Sequence, residues 1–107
     1  MIARMWHGVT PVSLADDYMD YLNITGLPDY RATEGNRGVY VLRRVHGDRA
    51  HFLLISLWDS MDAVAKFAGP SLAEARYYPE DEQYLLEMEP DVVHYEVLAV
   101  LGGPEQG

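Results

Sequence analysis

The chemistry on offer in this chain centres on a few side chains. His94 can take or give a proton near neutral pH, so an inward-facing His94 would be the natural base for a phenolic substrate; the plainer alternative is a hydrogen-bonded structural histidine. Tyr77 and Tyr78 precede Pro79 in a stretch expected to cap a pocket. One of them pointing inward could hydrogen-bond a phenol or quinone oxygen, whereas the other option is packing with the hydroxyl in water. Trp58, at the end of an apolar run, either fills a core or lines a pocket. Arg4 could steady an anionic oxygen or form a surface ion pair.

The elements that must position these residues are organised around Phe52 to Trp58, an apolar run broken only by Ser56. A short run with turn signals on both sides predicts a strand buried on both faces. Asp59 or Ser60 then supplies an N-cap, Asp62 complements the helix dipole, and Ala63, Val64, Phe67 and Ala68 form one apolar helical face. Gly69-Pro70 ends that helix.

Upstream, Ile2 to Val9 alternates and reads as the first strand, and Thr10 to Ser13 as a turn with Ser13 as N-cap. Leu14, Tyr18, Tyr21, Leu22 and Thr25 mark a helix ending at Gly26, and Leu27 to Asn36 is expected to be loop. Gly38 to Val45 and His51 to Trp58 form a hairpin about Gly47-Asp48. That turn sets a register in which Arg44 faces His51, Leu42 faces Leu53 and Tyr40 faces Ile55 on one side. Arg43 faces Phe52, Val41 faces Leu54 and Val39 faces Ser56 on the other. Helical turns are expected over Ser71 to Tyr78 and from Pro79 to about Met88, then a last strand from Asp91 to Leu101.

The resulting order, β-α-β-β-α-β, is ferredoxin-like, an α+β fold with a four-stranded antiparallel sheet. Residues 1–101 are expected to form one domain and 102–107 a flexible tail. Two helices cover one sheet face, yet mid-strand residues are apolar on both. A second copy is the expected cover, in a homodimer that buries apolar area at roughly 25 cal/mol per Å².

Composition narrows the function. A net charge of −9 argues against nucleic acid and anionic membrane as partners. The positive charge gathers at Arg31, Arg37, Arg43, Arg44 and Arg49, and a later segment from Glu80 to Asp91 is acidic; these are solvated surfaces or the two sides of a subunit contact. The absence of cysteine removes thiol chemistry. His7, His46, His51 and His94 lack metal-site spacing, and no phosphate loop, dinucleotide fingerprint or serine elbow occurs. No apolar run of about 18 residues and no signal-peptide pattern is present, so a cytoplasmic location is expected.

The strand–Trp58–Asp-Ser–helix element, the element order and the tyrosine-rich segment before the last strand together resemble the antibiotic biosynthesis monooxygenase superfamily, over Ile2 to Leu101. The resemblance implies a dimeric α+β barrel with a pocket in each subunit between sheet and helices. Its characterised branches oxidise aromatic polyketides with O₂ and neither metal nor flavin, or degrade heme. Trp58 matches the tryptophan of the polyketide-oxidising branch, while Leu54 and Val64 stand where that branch has asparagine and tyrosine, and its arginine falls near Arg76 to Tyr78. Arg4, Phe67 and Tyr77 stand at the asparagine, tryptophan and histidine of the heme-degrading branch.

The expected function is therefore a cofactor-independent monooxygenase acting on a small aromatic or polyketide-like substrate. In it His94 and Tyr77 are catalytic, and Trp58, Tyr78, Arg4 and Phe67 bind substrate. The alternatives are a non-catalytic dimeric barrel that binds a small apolar molecule or serves in stress, and an isomerase or decarboxylase on the same fold. No cofactor and no metal is expected.

Overall fold

The structure, a computed structural model, describes residues 1–102. The chain runs β1 (Ile2–Pro11), a 3₁₀ turn (Val12–Leu14), α1 (Ala15–Ile24), α2 (Gly26–Ala32), β2 (Asn36–His46), β3 (Arg49–Trp58), α3 (Met61–Ala68), a second 3₁₀ turn (Asp81–Gln83) and β4 (Val93–Glu96). The strands form one antiparallel sheet in the order β2-β3-β1-β4, the ferredoxin-like arrangement expected from the sequence.

The hairpin between β2 and β3 has the register read from the turn. Arg44 pairs with His51, Leu42 with Leu53 and Val41 with Leu54. Gly47 takes φ 63° at the first central position, which suits a II′ hairpin turn and would strain any residue bearing a Cβ. The Ser60 hydroxyl accepts the Ala63 N–H and starts α3.

Period-two alternation divides the sheet into two faces. Arg4, Trp6 and Thr10 of β1 share the helix-covered face with Ala50, Phe52, Leu54, Ser56 and Trp58 of β3, all buried. Tyr18, Tyr21 and Leu22 of α1, Tyr30 of α2, and Ala63, Val64 and Phe67 of α3 close over it. The opposite face carries Met5 and His7 of β1, Tyr40 and Leu42 of β2, Leu53 and Ile55 of β3, and Val93 and Tyr95 of β4. No described helix covers that face, and Leu42 and Tyr95 are 45% and 56% exposed.

Several local expectations are corrected. Thr10 and Pro11 extend β1 instead of turning, and Ser13 caps nothing because the 3₁₀ turn delays α1 to Ala15. Much of the expected loop from Leu27 to Asn36 is α2; Pro28 falls in its first turn, where no N–H is needed. The helical turns expected over Ser71–Tyr78 and Pro79–Met88 reduce to the 3₁₀ turn at Asp81–Gln83, and an isolated bridge joins Glu74 to Asp91. β4 spans four residues and ends at Glu96, paired with Ile2 where β1 begins, after which the Val97 N–H reaches the Met1 carbonyl. The tail expected from residue 102 lies, beyond that residue, outside the described residues. No helix of the described residues is long and apolar enough to cross a membrane.

Candidate functional site

Arg4 sits in mid-β1 on the same side as Trp6, which turns it under the helices rather than into water. It is 1% exposed. Its Nη1 donates to the Tyr30 hydroxyl at 3.1 Å, and its guanidinium lies 5.3 Å from the centre of the Phe67 ring. Nε and Nη2 have no partner among the described residues, and no carboxylate pairs with this charge. An ion pair at the surface was one expectation for Arg4; its burial corrects it.

His94 stands directly across the β1–β4 ladder from Arg4. Its Nε2 is buried and also lacks a partner. Burial, reinforced by the Arg4 charge, holds its pKa below the ordinary histidine value, so the ring is neutral at physiological pH. On the other side of Arg4, Ser56 donates to the Arg4 carbonyl at 3.4 Å and accepts the Trp58 indole N–H at 2.9 Å. Trp58 is fully buried against Tyr30 and Phe67, whose rings stack with centres 4.3 Å apart. Burial pushes the Tyr30 hydroxyl up, against the pull of Arg4, and keeps it protonated.

Beside this cluster a cleft opens between the sheet and α1, α2 and α3. Trp6, Tyr18, Tyr30, Phe67 and Tyr78 form its aromatic walls, with Arg76 and Asp81 at its polar points. It holds about 300 Å³ of empty space including its open mouth, but only about 20 Å³ admits the centre of a water molecule. Closed space of that size holds about one water, so an aromatic ring enters only when the cleft walls move apart.

Asp29 of α2 holds the mouth. Its Oδ2 accepts the Tyr78 hydroxyl at 2.6 Å and Arg76 Nη2 at 3.2 Å, while Arg76 Nη1 donates to the Phe67 carbonyl at 2.9 Å. The Arg76 guanidinium covers both Phe67, at 4.7 Å, and Tyr78, at 5.1 Å. Asp81 fixes the same segment from inside, accepting the Tyr18 hydroxyl at 3.0 Å and the Tyr78 N–H at 2.5 Å. Burial raises the Asp81 pKa, with both hydrogen bonds opposing it; burial and then Asp81 push the Tyr18 hydroxyl up.

Of the six residues singled out from sequence, Phe67 and Tyr78 line the cleft. Trp58 packs behind Phe67 and Tyr30, and Arg4 meets His94 beside the same two rings. Tyr77 does not join them: its hydroxyl donates to the Glu89 carbonyl, its ring meets Trp6 edge-on, and burial followed by the Glu89 charge pushes its pKa up to about 12. Sequence reasoning missed Tyr30, Tyr18 and Asp81. Tyr30 falls in the stretch expected to be loop, where α2 instead turns it inward.

The open sheet face holds a second polar cluster. His7 Nδ1 meets Glu89 Oε2 at 2.5 Å and His7 Nε2 meets His51 Nδ1 at 3.1 Å. No group of three potential metal ligands occurs among the described residues. A porphyrin does not fit the helix-side cleft either, whose space is far too small for it.

No known protein family matches the sequence, and no curated protein does. Solved structures do match. A structure of MhuD, the heme-degrader of Mycobacterium tuberculosis, with two hemes bound in its active site is 19% identical, with TM-score 0.64 over 95% of this chain and 100% of that one. A point mutant of MhuD with two manganese protoporphyrin IX bound per active site is 18% identical, with TM-score 0.62 over 96% and 100%. A Bacillus cereus protein named as a candidate antibiotic biosynthesis monooxygenase is 13% identical, with TM-score 0.63 over 95% and 97%. The chain thus shares the fold of these solved structures.

Proposed function

We propose that this protein is a cofactor-independent monooxygenase of the antibiotic biosynthesis monooxygenase type, acting on a small phenolic aromatic held in the helix-side cleft. The observation that carries this reading is the facing pair of Arg4 and His94, a buried cation and a neutral imidazole with unsatisfied polar atoms, set behind the Tyr30 and Phe67 walls of the cleft and not among its lining residues. Such a pair supplies the two things that oxidation without a cofactor requires of a protein. His94 Nε2 accepts the phenolic proton, and Arg4 stabilises the phenolate charge that forms. The electron-rich ring then reduces O₂ itself. One oxygen atom enters the ring, the other leaves as water, and a phenol plus O₂ becomes a quinone plus water. Stacked Tyr30 and Phe67, with Tyr78 at the mouth, orient the ring and exclude bulk water.

The protein works, in this reading, as a homodimer whose two open sheet faces pack together. Exposed Tyr40, Leu42, Val93 and Tyr95 support that arrangement, as do Leu98 and Val100 beyond β4.

The test is oxygen uptake by the purified protein over a panel of monophenols, with hydrogen peroxide assayed beside it and expected to be absent. One O₂ consumed per quinone formed, and loss of the activity in His94→Ala with the fold intact, is the expected result. No uptake over the whole panel defeats the proposal and favours a binding role for the cleft.

A further inference from the structure

Arg4 uses one edge of its guanidinium on Tyr30 and leaves the other free. The unpartnered nitrogens, Nε and Nη2, form the side-on edge whose two N–H bonds run parallel and match the two oxygens of a carboxylate. Buried cations are ordinarily paired, because removing a charge from water costs more than an unpaired interior site returns. This chain has 17 acidic residues against 8 lysines and arginines, so acids are not scarce. None of those described pairs with Arg4.

His94 Nε2, across the ladder, is a further buried polar atom with no partner. A single water balances no charge; a planar anion with two oxygens matches Nε and Nη2 and does. The surface beside Arg4 is the face of Phe67, stacked on Tyr30 and leading to the aromatic cleft.

We propose that the free edge of Arg4 is a carboxylate subsite, and that the ligand of the cleft is a hydroxylated aromatic carboxylic acid. Its carboxylate bonds to Nε and Nη2, which leaves His94 Nε2 for a ring hydroxyl. This inference rests on the helix-side cleft being the substrate site, and it adds the chemical class of the substrate.

The test is equilibrium binding of benzoate, its neutral analogue benzamide, and formate, read by melting temperature and by the NMR signals of the His94 ring. Benzoate is expected to bind about tenfold or more tighter than benzamide and to move the His94 signals, with formate far weaker. Arg4→Met should abolish the preference for benzoate and, without ligand, melt no lower than the parent protein. Equal binding of benzoate and benzamide, formate matching benzoate, or a preference that survives Arg4→Met would overturn the subsite. Should Arg4→Met not fold, Arg4→Lys decides: it keeps the charge but lacks the parallel N–H pair, and an undiminished benzoate preference in it overturns the proposal. Benzoate seated at Arg4 in a protein that oxidises no phenol would sink the oxygenase reading alone. Phenol oxidation without benzoate preference would sink the subsite alone.

Discussion

The indole of Trp6 lies along its own strand over Gly8, so that a Cβ added at Gly8 would come within 2.5 Å of its Cη2 and 3.0 Å of Leu85. Trp6 also packs on Tyr18 and Tyr77, which leaves it little room to retreat. Gly8→Ala should therefore overpack the cleft wall and cost about 1–3 kcal/mol in denaturant unfolding, a large loss for a single methyl group. Stability within about 0.5 kcal/mol of the parent would show that the indole can move aside.

His94 should titrate below the ordinary histidine value, with the acidic limb of any base-dependent rate lying below about pH 6.5 accordingly. A depressed pKa also sets a sign for stability. The contribution is present above the unfolded value and is lost as pH falls through the folded one. Because burial is the larger cause and Arg4 the smaller, Arg4→Met should move the His94 titration upward without restoring it fully. NMR titration of the ring reads this directly, and an unmoved pKa would remove Arg4 from the neighbourhood of His94.

Asp81 has the opposite linkage. Its pKa is raised by burial, so its stabilising contribution is greatest below the ordinary carboxyl value and declines as pH rises through the raised one. Asp81→Asn should destabilise the protein by about 1–3 kcal/mol, since the amide cannot accept from both Tyr18 and the Tyr78 N–H as the carboxyl does. The gap between parent and variant should narrow from acid to neutral pH in urea titrations; a widening gap would contradict the raised pKa.

Asp29 joins α2 to the mouth of the cleft through Tyr78 and Arg76, and both of its contacts lie near solvent. Asp29→Ala should cost no more than about 1 kcal/mol of stability. It should nevertheless raise the acrylamide quenching of the buried tryptophans and speed aromatic ligand entry. Unchanged quenching would mean that Tyr78 stays closed without its acceptor.

Leu53 lies in mid-sheet on the uncovered face, between His7 of β1 and Leu42 of β2. Leu53→Lys should leave circular dichroism unchanged while shifting sedimentation from dimer to monomer at micromolar concentration. A parent protein that sediments as a monomer would end the face-to-face arrangement.

The strand frame was legible in the sequence wherever local pattern and pairing agree. The Gly47-Asp48 turn determines the β2–β3 register, and Ser60 before Met61 marks the start of α3. Arg4 was harder to read, because arginine is ordinarily a surface residue; the useful signal was its parity with Trp6 along β1. Between α3 and β4 the backbone makes few ladder bonds, and Asp81, Arg76 and Asp29 shape it through contacts distant in sequence. No local periodicity encodes such contacts, so expecting helices there was an error of that physical kind. The length of β4 depended on where β1 begins, which is likewise a property of pairing and not of β4 itself.

β2 is one of the two outer strands of the sheet, eleven residues long, with a bulge between Asn36 and Gly38 and with Arg37, Arg43 and Arg44 along it. A margin of that length would recruit a like strand from another molecule and grow into fibrils were it flat and neutral. Two copies brought rim to rim would instead meet a kink where the backbone no longer runs straight, and charged side chains, Arg37 held by Asp59 and Arg43 by Asp16, that would have to be displaced. The bulge and the charged, ion-paired rim of β2 thus work against open-ended strand addition at that edge.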